Sequence, residues 1–180
     1  MMNERIRKIK LIAMDVDGVL TKGDVMYTSS GDEIKTFNIK DGVALNAARR
    51  VGLHVAVITG RKSAALERRV NELKIAEVDM ACDDKGAAIR DLLKRLELKP
   101  EEAAFIGDDL IDIPAFQECG FRIAVGDACE DLKAQADFVT QAAGGCGAVR
   151  EAVEMILKAQ GKWASAVENM LERYQRPEMA

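Results

Sequence analysis

The sequence holds a single histidine, His54, and it sits inside the apolar run 53–58. A Ser-His-Asp relay or a histidine-based zinc site therefore has almost nothing to be built from, and His54 itself is expected to be a strand residue. Cysteine is also sparse. Cys82, Cys119, Cys129 and Cys146 form no CxxC pair and have no companion histidines, so reduced, mostly buried thiols are expected. No apolar run approaches the roughly 20 residues of a spanning helix, and no membrane association is expected. Residues 1–10 are charged and lack an apolar signal core, which predicts no secretion signal and a cytoplasmic location. Basic charge is not in excess: the net charge is −4, which argues against broad nucleic-acid binding and requires any anionic ligand to be held by a local cation cluster or a metal. With 180 residues, 48% hydrophobic and 31% charged, the chain is large enough to bury a core without disulfides.

What is present alternates. Residues 9–14, 53–59, 103–106 and 122–125 read as buried strands, with 138–140 as a short last one. Residues 43–51, 63–73, 86–96 and 110–118 read as helices. Continuous apolar strands alternating with helices predict an α/β domain with a doubly wound, mostly parallel sheet. Residues 22–40 break the alternation with Tyr27-Thr28-Ser29-Ser30-Gly31-Asp32 between short β-like runs, which predicts a projecting hairpin. After Gly144-Gly145-Cys146-Gly147 a helical tail, about 146–180, carries Trp163, Val167, Met170, Leu171 and Tyr174 on one face. With no repeat and no linker, a single domain over 1–180 is expected.

Open α/β sheets bind ligands beyond the carboxyl ends of their strands, so the residues there carry the chemistry. Asp15-Val16-Asp17-Gly18 follows the first strand and Thr59-Gly60-Arg61 the second; Lys85 precedes a helix; Gly107-Asp108-Asp109 follows the next strand, with Asp112 one turn on. Carboxylates gathered at one sheet edge repel unless a cation sits among them. Oxygen-only ligands suit Mg²⁺, which keeps substrate phosphate in its shell. One aspartate can then attack phosphorus, and another two residues on can protonate the leaving oxygen and later activate water. A threonine hydroxyl and a lysine ammonium can bind the phosphoryl oxygens. An EF-hand is excluded, because its glycine stands sixth and a helix precedes it, whereas Gly18 is fourth after a strand.

DVDGV, TGR, an isolated Lys and GDDLID, in that order, resemble the four motifs of the haloacid dehalogenase superfamily of phosphohydrolases. Only 44 positions separate Asp15 from Thr59 and 26 separate Thr59 from Lys85, too few for a cap domain. The chain therefore resembles the capless branch, and within it the 3-deoxy-D-manno-octulosonate (KDO) 8-phosphate phosphatases. Phe37-Asn38-Ile39-Lys40-Asp41-Gly42, Thr59-Gly60-Arg61, Arg69, GDDLID and the run 144–151 extend the likeness over nearly the whole chain. The resemblance implies a Mg²⁺-dependent phosphatase of lipopolysaccharide precursor synthesis, acting through a phospho-aspartate. It implies Asp15 as nucleophile and Asp17 as acid and base, with Thr59 and Lys85 on the phosphate. Asp15, Asp108 and the Asp17 carbonyl hold the metal, with Asp109 and Asp112 behind them. Asp17, Asn38, Lys40, Asp41, Gly42, Asn46, Gly60, Arg61, Arg69 and Lys85 contact a small anionic sugar phosphate. Homotetramers are implied as well, with the hairpin and the tail as candidate walls for a neighbour's site.

Lys40 and Asn46 stand where the family usually has Arg, and Met14 where it often has Phe. Lysine lacks the bidentate fork that arginine offers a carboxylate. A related enzyme for nine-carbon, sialic-acid-like phosphates often has Glu in the slot of Arg61, so Arg61 favours the eight-carbon substrate and the nine-carbon one is the alternative. From another class, a receiver-like phospho-accepting domain also gathers acids, a Thr and a Lys at strand ends, but there the acidic pair comes first and the acceptor aspartate follows a middle strand. The corresponding segment here ends in Thr59.

Overall fold

The computed structural model describes residues 2–175, with side chains through Glu172. Its strands are β1 Leu11–Met14, β2 Met26–Tyr27, β3 Glu33–Ile34, β4 His54–Thr59, β5 Glu77–Met80, β6 Ala103–Gly107, β7 Phe121–Ala124 and β8 Phe138–Val139. Six of them form one sheet in the order β5-β4-β1-β6-β7-β8, and every neighbouring pair is parallel. The fold is the expected doubly wound α/β sheet with no cap. β1 is central: Met14 lies opposite Val57 on one side and Ile106 on the other. Its four residues are all buried, which is why the run carries no polar alternation. The order reverses at β1, where the connections run outward to β4 and β5 on one side and to β6, β7 and β8 on the other. That is where such sheets open a crevice for a ligand.

The helices are α1 Met2–Arg7, α2 Ile39–Arg50, α3 Ala64–Glu72, α4 Lys85–Arg95, α5 Ile113–Glu118, α6 Glu130–Lys133, α7 Ala148–Ala159 and α8 Trp163–Gln175. α2 packs on α7 and α8, α1 on α7, and α4 on α5. α2 starts four residues before the expected 43, because the side chain of Asn38 accepts the Lys40 N–H at 2.9 Å and caps it. The stretch 110–118 is a 3₁₀ turn, Leu110–Asp112, running into α5 with Pro114 in its first turn.

The hairpin is present as β2 and β3, antiparallel, with Met26 opposite Ile34. The tail is helical, as two helices. Ala148, Val149, Ala152, Val153, Ile156 and Leu157 of α7 are fully buried in the main core, so 148–159 packs as part of its own domain. α8 also packs on its own chain, through buried Ala166 and partly buried Trp163 and Met170. Arg150 lies over the Trp163 ring at 4.8 Å. Leu171 is exposed; Tyr174, by its side chain, and residues 176–180 lie outside the described residues. Of the four thiols, Cys119 is buried, Cys82 and Cys129 are half-buried, and Cys146 is exposed.

Candidate active site

β1 ends by delivering Asp15 into the crevice, and the Asp15 N–H still bonds to the Ile106 carbonyl of β6 at 3.1 Å. The loop then closes on itself, since Val19, Leu20 and Thr21 all donate N–H groups to the Val16 carbonyl. Gly18 makes that closure possible. Its φ is +91°, and a Cβ there would meet Asp108 Oδ2 at 2.0 Å. The loops of β1 and β6 are thus pressed together, carboxylate against bare backbone. A second loop closes over them. The Gly145 N–H bonds to the Val19 carbonyl at 2.9 Å, the Gly144 N–H bonds to Asp127 Oδ1 at 2.8 Å, and a Cβ on Gly144 would strike the Gly18 carbonyl oxygen at 1.6 Å.

Lys85 opens α4 behind its cap Asp84 and is buried between two carboxylates. Its Nζ lies 3.0 Å from Asp15 Oδ2 and 2.6 Å from Asp112 Oδ1. Asp112 is fully buried. Its other oxygen accepts the N–H of Asp108 at 2.9 Å and of Asp109 at 3.4 Å. Both oxygens of Asp112 are therefore in use, which makes it a brace for Lys85 and for the β6 loop. Exposed Asp109 caps the 3₁₀ turn through the Leu110 N–H at 2.8 Å. Thr59 is buried at the end of β4, with Oγ1 3.4 Å from the Arg61 nitrogen.

The charges are unevenly balanced. Burial, with Asp112 and Asp15 close by, pushes Asp108 up to about 8. Burial and Asp112 raise Asp15 to about 6, against the pull of Lys85. Burial alone would depress the Lys85 ammonium, but Asp112 and Asp15 outweigh it and hold it above the usual lysine range. One ammonium does not neutralise three carboxylates. Oxygens of Asp15, Asp108 and Asp112 lie within 4.8 Å of one another, and Asp15 Oδ1 and Asp108 Oδ1 are buried without a hydrogen-bond partner. Orphaned carboxylate oxygens of this kind fit a hard divalent cation, as two ligands from Asp15 and Asp108 with room for other oxygens.

Of the residues expected at the substrate, Asp17, Arg61, Gly60 and Asn38 border this crevice: Arg61 Nε is 3.8 Å from Asp17 Oδ2, exposed Gly60 joins Thr59 to Arg61, and Asn38 Nδ2 donates to the Gly145 carbonyl at 3.4 Å. Arg69 lies against the bare backbone of Gly42, with Nη2 2.4 Å from where a Cβ would stand, and over the Phe37 ring at 5.9 Å. Lys40 is exposed at the start of α2. Asn46 lines a separate groove of about 430 Å³ with Val43, Arg50 and Met170. Buried Asp41 accepts the Arg150 N–H at 2.7 Å, tying α2 to the start of α7; burial raises its carboxyl despite that bond. Sequence reading missed Glu33 and Lys35 of the hairpin. Glu33 bonds Arg61, and Lys35 bonds Asp17. Their only signal is their place next to the Phe37-Asn38 run.

Residues 80–152 match the model of the haloacid dehalogenase-like hydrolases. The chain is 42% identical over 158 residues to the 3-deoxy-D-manno-octulosonate 8-phosphate phosphatase of Escherichia coli K12, covering 88% of this chain and 84% of that protein. A crystal structure of the same phosphatase from Moraxella catarrhalis, in complex with magnesium, phosphate and KDO, superposes with a TM-score of 0.90 at 43% identity, over 94% of this chain and 97% of that one. The cobalt-bound phosphatase of Haemophilus influenzae gives 0.87 at 39% identity, over 91% and 98%.

Proposed function

The chain belongs to the 3-deoxy-D-manno-octulosonate 8-phosphate phosphatases, within the haloacid dehalogenase-like hydrolases, and we propose that it hydrolyses KDO 8-phosphate to KDO and phosphate. The observation that carries this reading is the set of buried Asp15, Lys85 and Asp112 with half-buried Asp108 at the switch point of the sheet, Asp15 Oδ1 and Asp108 Oδ1 being left without a hydrogen-bond partner. Asp15 attacks phosphorus and forms an aspartyl phosphate. Asp17 gives a proton to the leaving sugar oxygen, then takes one from the water that cleaves the intermediate. The Thr59 hydroxyl and the Lys85 ammonium bind the phosphoryl oxygens where charge builds up. Asp112 keeps Lys85 in place and donates nothing to the reaction itself.

Mg²⁺ is the cofactor, held by Asp15, Asp108 and the Asp17 carbonyl; when bound it supplies positive charge to the phosphoryl oxygens and to the crowded carboxylates. Arg61, with Asn38, Lys40, Gly42 and Arg69 further out, forms the sugar-acid side of the crevice. Asn46 is uncharged and lines a groove with Val43 and Arg50, and the phosphate chemistry does not depend on an arginine there. Arg61, rather than an acid, favours the eight-carbon over the nine-carbon substrate. The receiver reading is not favoured, because the relatives are phosphatases.

The whole chain is read as one catalytic domain, working in the cytoplasm in lipopolysaccharide precursor synthesis. No helix among the described residues is long and apolar enough to cross a membrane. A homotetramer is supported by the exposed apolar residues of the hairpin. The test is phosphate release from a panel of sugar-acid phosphates with Mg²⁺ and with EDTA. KDO 8-phosphate should be the best substrate, and EDTA should stop turnover until Mg²⁺ is restored. Preference for a nine-carbon phosphate, or full activity in EDTA, would overturn the reading.

A further inference from the structure

Asp17 is hydrogen-bonded on one side only. Its Oδ1 is bonded by the Nζ of Lys35, and the Thr21 hydroxyl lies 3.4 Å away. Its Oδ2 is buried without a hydrogen-bond partner, with Arg61 Nε at 3.8 Å. Lys35 follows β3, eighteen positions after Asp17 in the chain, and its side chain is only 3% exposed. A lysine so covered is costly unless its ammonium is paired. Here the pairing comes from Asp17 and, at 3.8 Å, from Glu33, which also bonds Arg61. The hairpin therefore inserts a cation onto one oxygen of the aspartate and leaves the other without a hydrogen bond.

We infer that Lys35 is a positioning residue for the phosphatase reaction: by occupying Oδ1 it fixes the Asp17 carboxyl so that Oδ2 meets the ester oxygen leaving phosphorus. The inference rests on the phosphatase reading above. In the step concerned, Asp15 forms a bond to phosphorus, the bond from phosphorus to the ester oxygen breaks with its electron pair going to that oxygen, and the oxygen takes the proton carried by Asp17. Protonation matters most for a basic leaving oxygen and little for a stable one. Were Lys35 only a dock for the hairpin, its loss would affect all phosphate esters alike.

The experiment compares para-nitrophenyl phosphate with phenyl phosphate, two esters of similar shape whose leaving oxygens differ in basicity. kcat/KM is measured with Mg²⁺ for the wild type, Lys35→Met and Lys35→Gln. Lys35→Met keeps the length of the stem and removes the charge. The expected result is a loss of about 10- to 100-fold on phenyl phosphate, smaller than the roughly 10²- to 10⁴-fold that a positioned acid contributes in full, against less than about 3-fold on para-nitrophenyl phosphate. Retained hydrolysis of the nitrophenyl ester also reports an intact fold and an intact Asp15. The split in either variant supports the inference. Equal losses on both esters in both variants, or no loss on either, overturn it. A wild type that releases phosphate from neither ester sinks the phosphatase reading instead, and this inference with it.

Discussion

Asp108 is a carboxylate that the fold has made hard to ionise. Burial comes first, and Asp112 and Asp15 add to it, so that its proton leaves only near pH 8. A divalent cation must displace that proton, so Mg²⁺ affinity should fall as pH drops below about 8, which calorimetric titration at pH 6 and 8.5 would measure. The same shift acts on stability. Between the ordinary value of 3.8 and about 8, the native state holds more protons at this site than the unfolded one, so metal-free stability contributed here falls as pH rises. Asp108→Asn removes the effect. In EDTA it should stabilise the protein more at pH 8.5 than at pH 5.5, by of order 1–2 kcal/mol once solvent screening at a half-buried position is allowed for. Denaturant titrations of both proteins check this, and an identical difference at the two pH values would remove it. At Asp15 the expectation is simpler. Asp15→Asn keeps the shape and loses the nucleophile, so turnover should drop by about 10³-fold or more with the melting temperature nearly unchanged.

Two loops rather than any helix decide how tightly the centre is built. The 144–145 segment rests on the β1 loop so closely that a methyl at Gly144 would meet the Gly18 carbonyl at 1.6 Å. Backbone faces backbone there, and neither can swing aside as a side chain would. Gly144→Ala should therefore displace the loop that bears Asp17, lowering kcat/KM by about 10-fold or more and costing roughly 1–3 kcal/mol, read by steady-state kinetics and thermal melts. Much of this architecture was readable beforehand. β1 and β6 are unbroken apolar runs, as strands buried on both faces must be, and β4 and β7 are nearly so, with His54 exposed and Arg122 half-buried; Asp15, Thr59 and Asp108 follow from reading the strand ends, and Lys85 from its place at the start of a helix. β5 was missed because it is an edge strand, half-buried, with Glu77 and Asp79 interrupting it. α7 shows its packing in the sequence as well, since the pairs 148–149, 152–153 and 156–157 describe a broad buried stripe. Lys35 could not have been placed, because its meeting with Asp17 depends on how the hairpin folds back and not on any local pattern.

The hairpin bears on assembly. Its two strands have two residues each, far below what makes a ribbon stable alone. The ion pairs of Lys35 and Arg61 with Asp17 and Glu33 fasten its inner side. Val25, Met26, Tyr27 and Ile34 are exposed, Met26 lying opposite Ile34 and Tyr27, 64% exposed, opposite Glu33. Exposed apolar residues gathered in this way favour an interface, and closed symmetry would cover them with copies of the same chain. The crevice needs such cover, since no cap closes it and a small sugar acid requires walls for discrimination. One face of α7 is taken up by its own core, and the hairpin is the element whose exposed apolar residues lie nearest to Asp17 and Arg61. Light scattering should therefore give the mass of four chains. The double substitution Val25→Asp with Met26→Asp should break the assembly while sparing Tyr27, which lies opposite Glu33, the ion-pair partner of Arg61. Dissociation should lower kcat/KM on KDO 8-phosphate by about 10-fold or more, as loss of positioning does, yet leave para-nitrophenyl phosphate hydrolysis within about 3-fold, because that ester depends on the phosphorus centre alone. A monomer with wild-type preference for the sugar phosphate would show that each crevice is complete without its neighbours.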